Sequence, residues 1–242
     1  MVKKQGMVIP HEHGGWAMVS VPFAIGMLTG KPQWMHAFLF LAWLFLYLAS
    51  YPFLQSMKRL SDRGRLIKWG IVYGAIAVLS LIPPLLNRPQ LFLFGPILLV
   101  LLAVNIWNVK RKTERALFND LCAILIFSLG GAAAYLLGGG GWDVTMILIV
   151  TFNLLYFMGS VFFVKSVFRE RKNKRWITYA YFYHAALLIV PWMLGNPWMA
   201  VAYIFSTLRT FVYAGQAIRP MKVGIIEIIG SVQFLVLAIL WM

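Results

Sequence analysis

Two histidines and a glutamate stand side by side in Pro10-His11-Glu12-His13-Gly14-Gly15-Trp16. Imidazole nitrogen is a borderline metal ligand and carboxylate oxygen a hard one. Alternate residues of an extended segment project the same way, so His11 and His13 could share an ion. Two ligands do not close a site. Cys122 is remote, His36 falls toward the opposite side of the membrane, and only His184 is left to complete a set. The expectation is no metal centre. His11, Glu12 and His13 instead form a structural or anion-binding segment whose histidines titrate near neutrality.

Other ionisable residues inside apolar sequence are few: Asp120 next to Asn119, His184, and Glu227 with Arg209 and Arg219 before it, along with Lys58, Arg59, Lys165 and Arg169 at the ends of apolar stretches. Burying a charge in hydrocarbon costs about 2.5–3.5 kcal/mol at a helix centre, which makes such residues functional candidates by default. The alternative for the bases is snorkelling to the headgroups, with Asp120 paired to Arg115 or Lys112. Gln55, Ser56, Asn105, Asn108, Asn153, Tyr156 and Gln216 read as hydrogen-bonding contacts between helices. Gly138 to Gly141 reads as an external turn, and no Gly-rich nucleotide loop is present.

These residues must be positioned by membrane helices. The chain has 242 residues, 61% hydrophobic and 12% charged, with mean hydropathy +0.78. A water-soluble domain of this length could not bury so much apolar surface. A span needs about 20 apolar residues. Nine stretches qualify: 15–30, 34–56, 67–86, 90–109, 117–137, 144–164, 176–194, 197–215 and 223–242. Of the 22 Lys and Arg residues, all but Lys31 and Arg88 fall on one side of the alternating loops. Positive charge stays inside, so the N-terminus is expected in the cytoplasm and the C-terminus outside. The formal charge of +15 is then topological and lipid-facing, with no domain for nucleic acid. Trp34, Trp142, Trp176, Trp192 and Trp198 are expected at the interfaces. A lone cysteine excludes a disulfide framework, and no cleavable signal peptide is visible.

The His-Glu-His-Gly-Gly-Trp string, Tyr51-Pro52-Phe53 and the Lys58-Arg59 pair after the second span resemble the YwiC-like family of bacterial membrane proteins over essentially the whole chain. More distantly, nine spans with basic loops after the second, fourth, sixth and eighth resemble the intramembrane prenyltransferase superfamily typified by the 4-hydroxybenzoate polyprenyltransferases. That resemblance implies a helical bundle around a cytoplasm-facing cavity. In the superfamily, Asp-rich motifs after the second and sixth spans hold Mg²⁺ against an isoprenyl diphosphate. Here Ser50 to Arg59 contains no carboxylate, and Lys165 to Arg171 contains only Glu170. One glutamate cannot hold two Mg²⁺ ions. Lys58, Arg59, Lys165 and Arg169 would instead meet a phosphate or diphosphate directly, with His11, Glu12, His13, Asn119, Asp120 and His184 as further ligand-binding candidates.

The expectation is an all-α, single polytopic domain over 1–242 in the bacterial cytoplasmic membrane. Its expected partner is a membrane lipid, an isoprenoid or another phosphorylated lipid. No cofactor motif or catalytic group is identified, and a catalytic role rests on the prenyltransferase resemblance alone. Two alternatives stand open: a small-solute or ion transporter using Asp120, His184 and Glu227, and an assembly partner of a membrane complex.

Overall fold

In a computed structural model, residues 6–10, 13–113 and 115–242 are described; His11, Glu12 and Glu114 lie outside them, as does the side chain of His13. Ordered structure among the described residues is entirely helical: α1 (His13–Thr29), α2 (Met35–Ser56), α3 (Arg63–Asn87), α4 (Phe94–Lys110), α5 (Leu117–Leu137), α6 (Val144–Val167), α7 (Lys174–Met193), α8 (Met199–Ala202), α9 (Ile204–Tyr213) and α10 (Pro220–Trp241). Every predicted apolar stretch is occupied by helix, and the eighth is divided at Tyr203. Six segments are long and apolar enough to cross a membrane: α2, 60–87, 89–110, α5, α6 and α10. Together they make the chain a multi-pass helical membrane protein. The α8–α9 segment spans 15 residues, about 22 Å at helical rise, against a hydrocarbon core of about 30 Å.

The chain divides into two compact units. The first comprises residues 1–15 and 32–123. Its α2 packs along α3, with Leu48, Ala49 and Tyr73 at the centre and Phe45, Tyr47 and Trp69 around them. The Phe53 ring lies where a Cβ on Gly70 would come to 3.0 Å, so the glycine leaves room for the ring at this crossing. Arg65 donates to the Gly6 carbonyl at 2.8 Å and ties the N-terminal segment to α3. The turn after α4 is latched: Asn108 Nδ2 donates to Val104 O at 3.0 Å, and Thr113 Oγ1 donates to Asn108 Oδ1 at 2.8 Å. Between these residues Lys112 adopts φ +58°, a left-handed conformation that a side chain disfavours.

The second unit comprises residues 16–31 and 124–242. In it α1 and α5 meet backbone to backbone. A Cβ on Gly26 would overlap the Gly131 carbonyl, and Lys31 N donates to Gly138 O at 2.9 Å. Small residues allow this approach, which replaces the hydrophobic drive missing between helices in lipid. Asp143 caps α6 by accepting from Met146 N at 3.0 Å and also accepts from Tyr135 Oη at 3.1 Å. The Met146 amide foremost holds the Asp143 carboxyl below its usual range. Phe152, Tyr156, Tyr203 and Phe234 fill the centre, Tyr156 stacked on Phe234 at 4.1 Å between ring centroids. At the helix break, Tyr203 Oη donates to the Phe152 carbonyl at 2.9 Å.

Candidate functional site

Two constellations stand out, one in each unit. In the second unit, α6, α7, α9 and α10 direct polar side chains into the interior. Arg209 forms an ion pair with Glu227, the side chains being 2% and 18% exposed. Arg209 Nη2 donates to Ser160 Oγ at 3.0 Å, and the guanidinium lies 4.8 Å from the Phe163 ring centroid. Ser160 also interacts with the Glu227 carboxylate. The Tyr156 hydroxyl is within electrostatic reach of both charges and packs where a Cβ on Gly230 would come within 2.9 Å.

His184 is fully buried beside this group. Its Nδ1 faces the Ala180 carbonyl at 2.8 Å, so Nδ1 carries a proton and donates. Its Nε2 faces Thr210 Oγ1 at 3.1 Å, and that hydroxyl is also 2.9 Å from the Ser206 carbonyl. A neutral ring therefore competes with Ser206 for the single Thr210 proton. Thr207 Oγ1 donates to the His184 carbonyl at 3.1 Å, linking α9 to α7 a second time. At about 1.5 Å rise per residue, Arg209 lies roughly 6 Å, Glu227 and Ser160 roughly 10 Å, and His184 roughly 15 Å inside the basic-loop ends of their helices. Such depth makes a charge pair a candidate site.

In the first unit the cations form a hollow. A cleft of about 860 Å³ is lined by Ser56, Met57, Lys58, Leu60 and Arg63 from the α2–α3 turn and by Val109, Lys110, Lys112 and Arg115 from the α4–α5 turn. Five of these side chains are basic, and none of the described lining residues is a carboxylate. Asn108 and Thr113 set its outline by fixing the turn that carries Lys110, Lys112 and Arg115. The five basic lining residues are exposed, while Ser56 and Val109 are buried.

The predicted site residues are thus divided. Lys58, Arg59, Asn119 and Asp120 belong to the first unit; Lys165, Arg169 and His184 belong to the second. Lys58 lines the cleft, while Arg59 starts the short turn leading into α3 and is exposed. Asn119 and Asp120 sit half-buried in the first turn of α5. Lys165 Nζ lies 5.7 Å from the Trp176 ring centroid, and Arg169 is exposed beyond α6. His11 and Glu12, with the His13 side chain, fall outside the described residues. No group of three His, Cys, Asp or Glu side chains able to hold a metal occurs among the described residues.

Sequence reasoning counts Arg63, Lys110, Lys112 and Arg115 as topological charge and misses their grouping; it sets Arg209 near Glu227 among the intramembrane candidates without pairing the two. For Arg209 a signal existed. It lies five residues before Ala214, and Glu227 lies seven after Pro220. Opposite charges set at similar depths on either side of one turn can pair.

A family model described as YwiC-like protein matches residues 9–135, a range that contains all five cleft cations. The protein named "Uncharacterized protein YwiC" of Bacillus subtilis (strain 168) is 38% identical over 228 residues, covering 94% of this chain and 95% of its own. An "Uncharacterized protein" of Haemophilus influenzae (strain ATCC 51907 / DSM 11121 / KW20 / Rd) is 34% identical over 231 residues, covering 96% and 97%. No solved structure matches.

Proposed function

The chain belongs to the YwiC-like family, and from that premise we propose that it binds a phosphorylated lipid by its headgroup in the basic cleft of the first unit. One observation carries the reading: Lys58, Arg63, Lys110, Lys112 and Arg115 surround a single hollow of about 860 Å³. Topology requires basic residues near span ends, and it does not require them to enclose a cavity. The volume lies in the range of ligand sites, roughly 300–1,000 Å³. Arginine offers a planar fork to phosphate oxygens, and lysine a movable point charge. Met57, Leu60 and Val109 offer apolar surface for the first carbons of a tail.

With no carboxylate among the described lining residues, headgroup charge is met by Lys and Arg directly. On this reading a prenyltransferase-like arrangement of nine spans, N-terminus cytoplasmic and C-terminus outside in the bacterial inner membrane, would receive an isoprenoid tail. His11, Glu12 and His13 would lie at its rim. A second reading, small-solute transport, draws on a different observation, the intramembrane Arg209–Glu227 pair.

The test is native mass spectrometry of nanodiscs containing polyprenyl phosphate, against discs of phosphatidylglycerol alone. Each cation near a lipid surface is worth about 1 kcal/mol, so K58A/K110A should weaken retention about 30-fold. Neutralising Lys172 and Lys174, exposed bases of the other unit, should leave retention unchanged. Equal losses in the two double variants would reduce the cleft to diffuse charge and refute the proposal.

A further inference from the structure

The Arg209–Glu227 pair has features that a purely structural bridge does not need. Arg209 is held on three sides, by Glu227 on α10, by Ser160 on α6 and by the Phe163 ring. Its Nε still makes no hydrogen bond among the described residues, while the Tyr156 hydroxyl faces Ser231 and Arg209. Glu227 is the one carboxylate in the group, and its Oε1 is buried against the guanidinium. A buried donor left like this Nε calls for an explanation, and a bound ligand is one.

The two partners also differ in access. Arg209 is sealed at 2% exposure, whereas Glu227 at 18% reaches the surface of the unit. The arginine is the more deeply enclosed of the two. Glu227 is followed by exposed Ile228 and Ile229 on the same helix, a surface suited to lipid tails.

We propose that Arg209 is the anion-binding residue of a carboxylate site within the second unit, and that Glu227 is its resident occupant, displaced when a carboxylate ligand enters. A carboxylate already fits the guanidinium here. Ser160 and Tyr156 are placed to add hydroxyl donors, and the free Nε adds a third. His184 and Thr210, on α7 and α9, line the adjoining side with groups that can accept or donate one proton. The inference is independent of the headgroup reading, since it rests on other residues in the other unit. The ligand is either a small soluble carboxylate or the carboxyl end of a fatty acid taken from the bilayer.

The experiment uses the full chain in nanodiscs and two carboxyl-¹³C probes, acetate and oleate. Binding is read by NMR for wild type, E227Q and R209Q/E227Q. E227Q keeps the shape of the side chain and removes the internal competitor, so it should bind a probe more than tenfold tighter than wild type. R209Q/E227Q should bind neither. Acetate binding identifies a soluble carboxylate, and binding of oleate alone identifies a fatty acid. In parallel, E227A should unfold at a lower temperature than wild type and be restored by acetate or oleate, a rescue absent from R209Q/E227A. Failure of both probes to bind E227Q overturns the proposal, as does equal binding by the double variant.

Discussion

Removing either partner of the Arg209–Glu227 pair should destabilise the protein unequally, and the inequality follows from exposure. In E227A the guanidinium remains at a site that is 2% exposed. It keeps the Ser160 hydroxyl and the face of Phe163 but has no counter-charge. An uncompensated buried charge of this kind costs about 3–5 kcal/mol. R209M leaves a carboxyl that is 18% exposed, able to turn outward or take up a proton, and its cost should fall to about 1–3 kcal/mol. Replacing both with apolar side chains, R209M/E227L, removes the desolvated charges together and should restore most of the loss. The assay is reversible unfolding in mixed micelles, followed by far-UV circular dichroism, with the two singles and the double closing a cycle. Both singles falling within about 0.5 kcal/mol of wild type would place the pair in water. A double variant that lost the sum of its singles would show no coupling. Either result refutes the burial argument.

Three further outcomes are expected. Gly131→Leu should prevent folding of the second unit, because a Cβ there already meets the Pro22 carbonyl at 2.5 Å; the check is yield and monodispersity after extraction, and a well-behaved variant would contradict the α1–α5 contact. Asp143→Ala should cost about 1 kcal/mol through loss of the α6 cap. Because the folded carboxyl titrates below the ordinary aspartate range, the capping contribution is complete above that range and is lost as pH falls through the lower folded value; a pH series of unfolding midpoints should show this acid loss in wild type and not in Asp143→Ala. Asn108→Leu keeps every cation of the cleft but cuts the latch to Thr113 and Val104. It should reduce polyprenyl phosphate retention several-fold while leaving membrane orientation unchanged by cysteine labelling, and undiminished retention would count against a shaped site.

Helix positions were largely legible because apolar runs of span length are the strongest signal a sequence carries. The eighth stretch was the exception. No proline or glycine marks Tyr203, and the interruption coincides with its hydroxyl bonding to Phe152 on another helix, a tertiary cause with no local signature. His184 was legible as a buried polar residue, but its partners Thr207 and Thr210 were not, since threonine in a membrane helix carries no distinguishing pattern. The cleft was half-legible. Lys58 stood out through its position in a family-like motif, whereas Lys110, Lys112 and Arg115 reach the same hollow because of one left-handed residue and an Asn–Thr latch. Charge counting finds which side of a membrane a residue favours, and it does not find concavity.

The chain thus uses cations in two physically different ways, and Arg209 and Arg219 show the division within a single turn. Arg219 stands just before α10, exposed, where its charge costs nothing to solvate and serves the alternation of loops. Arg209 lies on α9, carries the same charge, and is desolvated. Moving Arg219 elsewhere in its loop would preserve the sum that orients a helix, because that sum depends on side and proximity alone. Moving Arg209 by one residue would turn it about 100° around the helix, away from Ser160 and Glu227 together. A residue whose value depends on angle as well as depth is answering to specific partners, and this separates the Arg209 group from the topological charge around it.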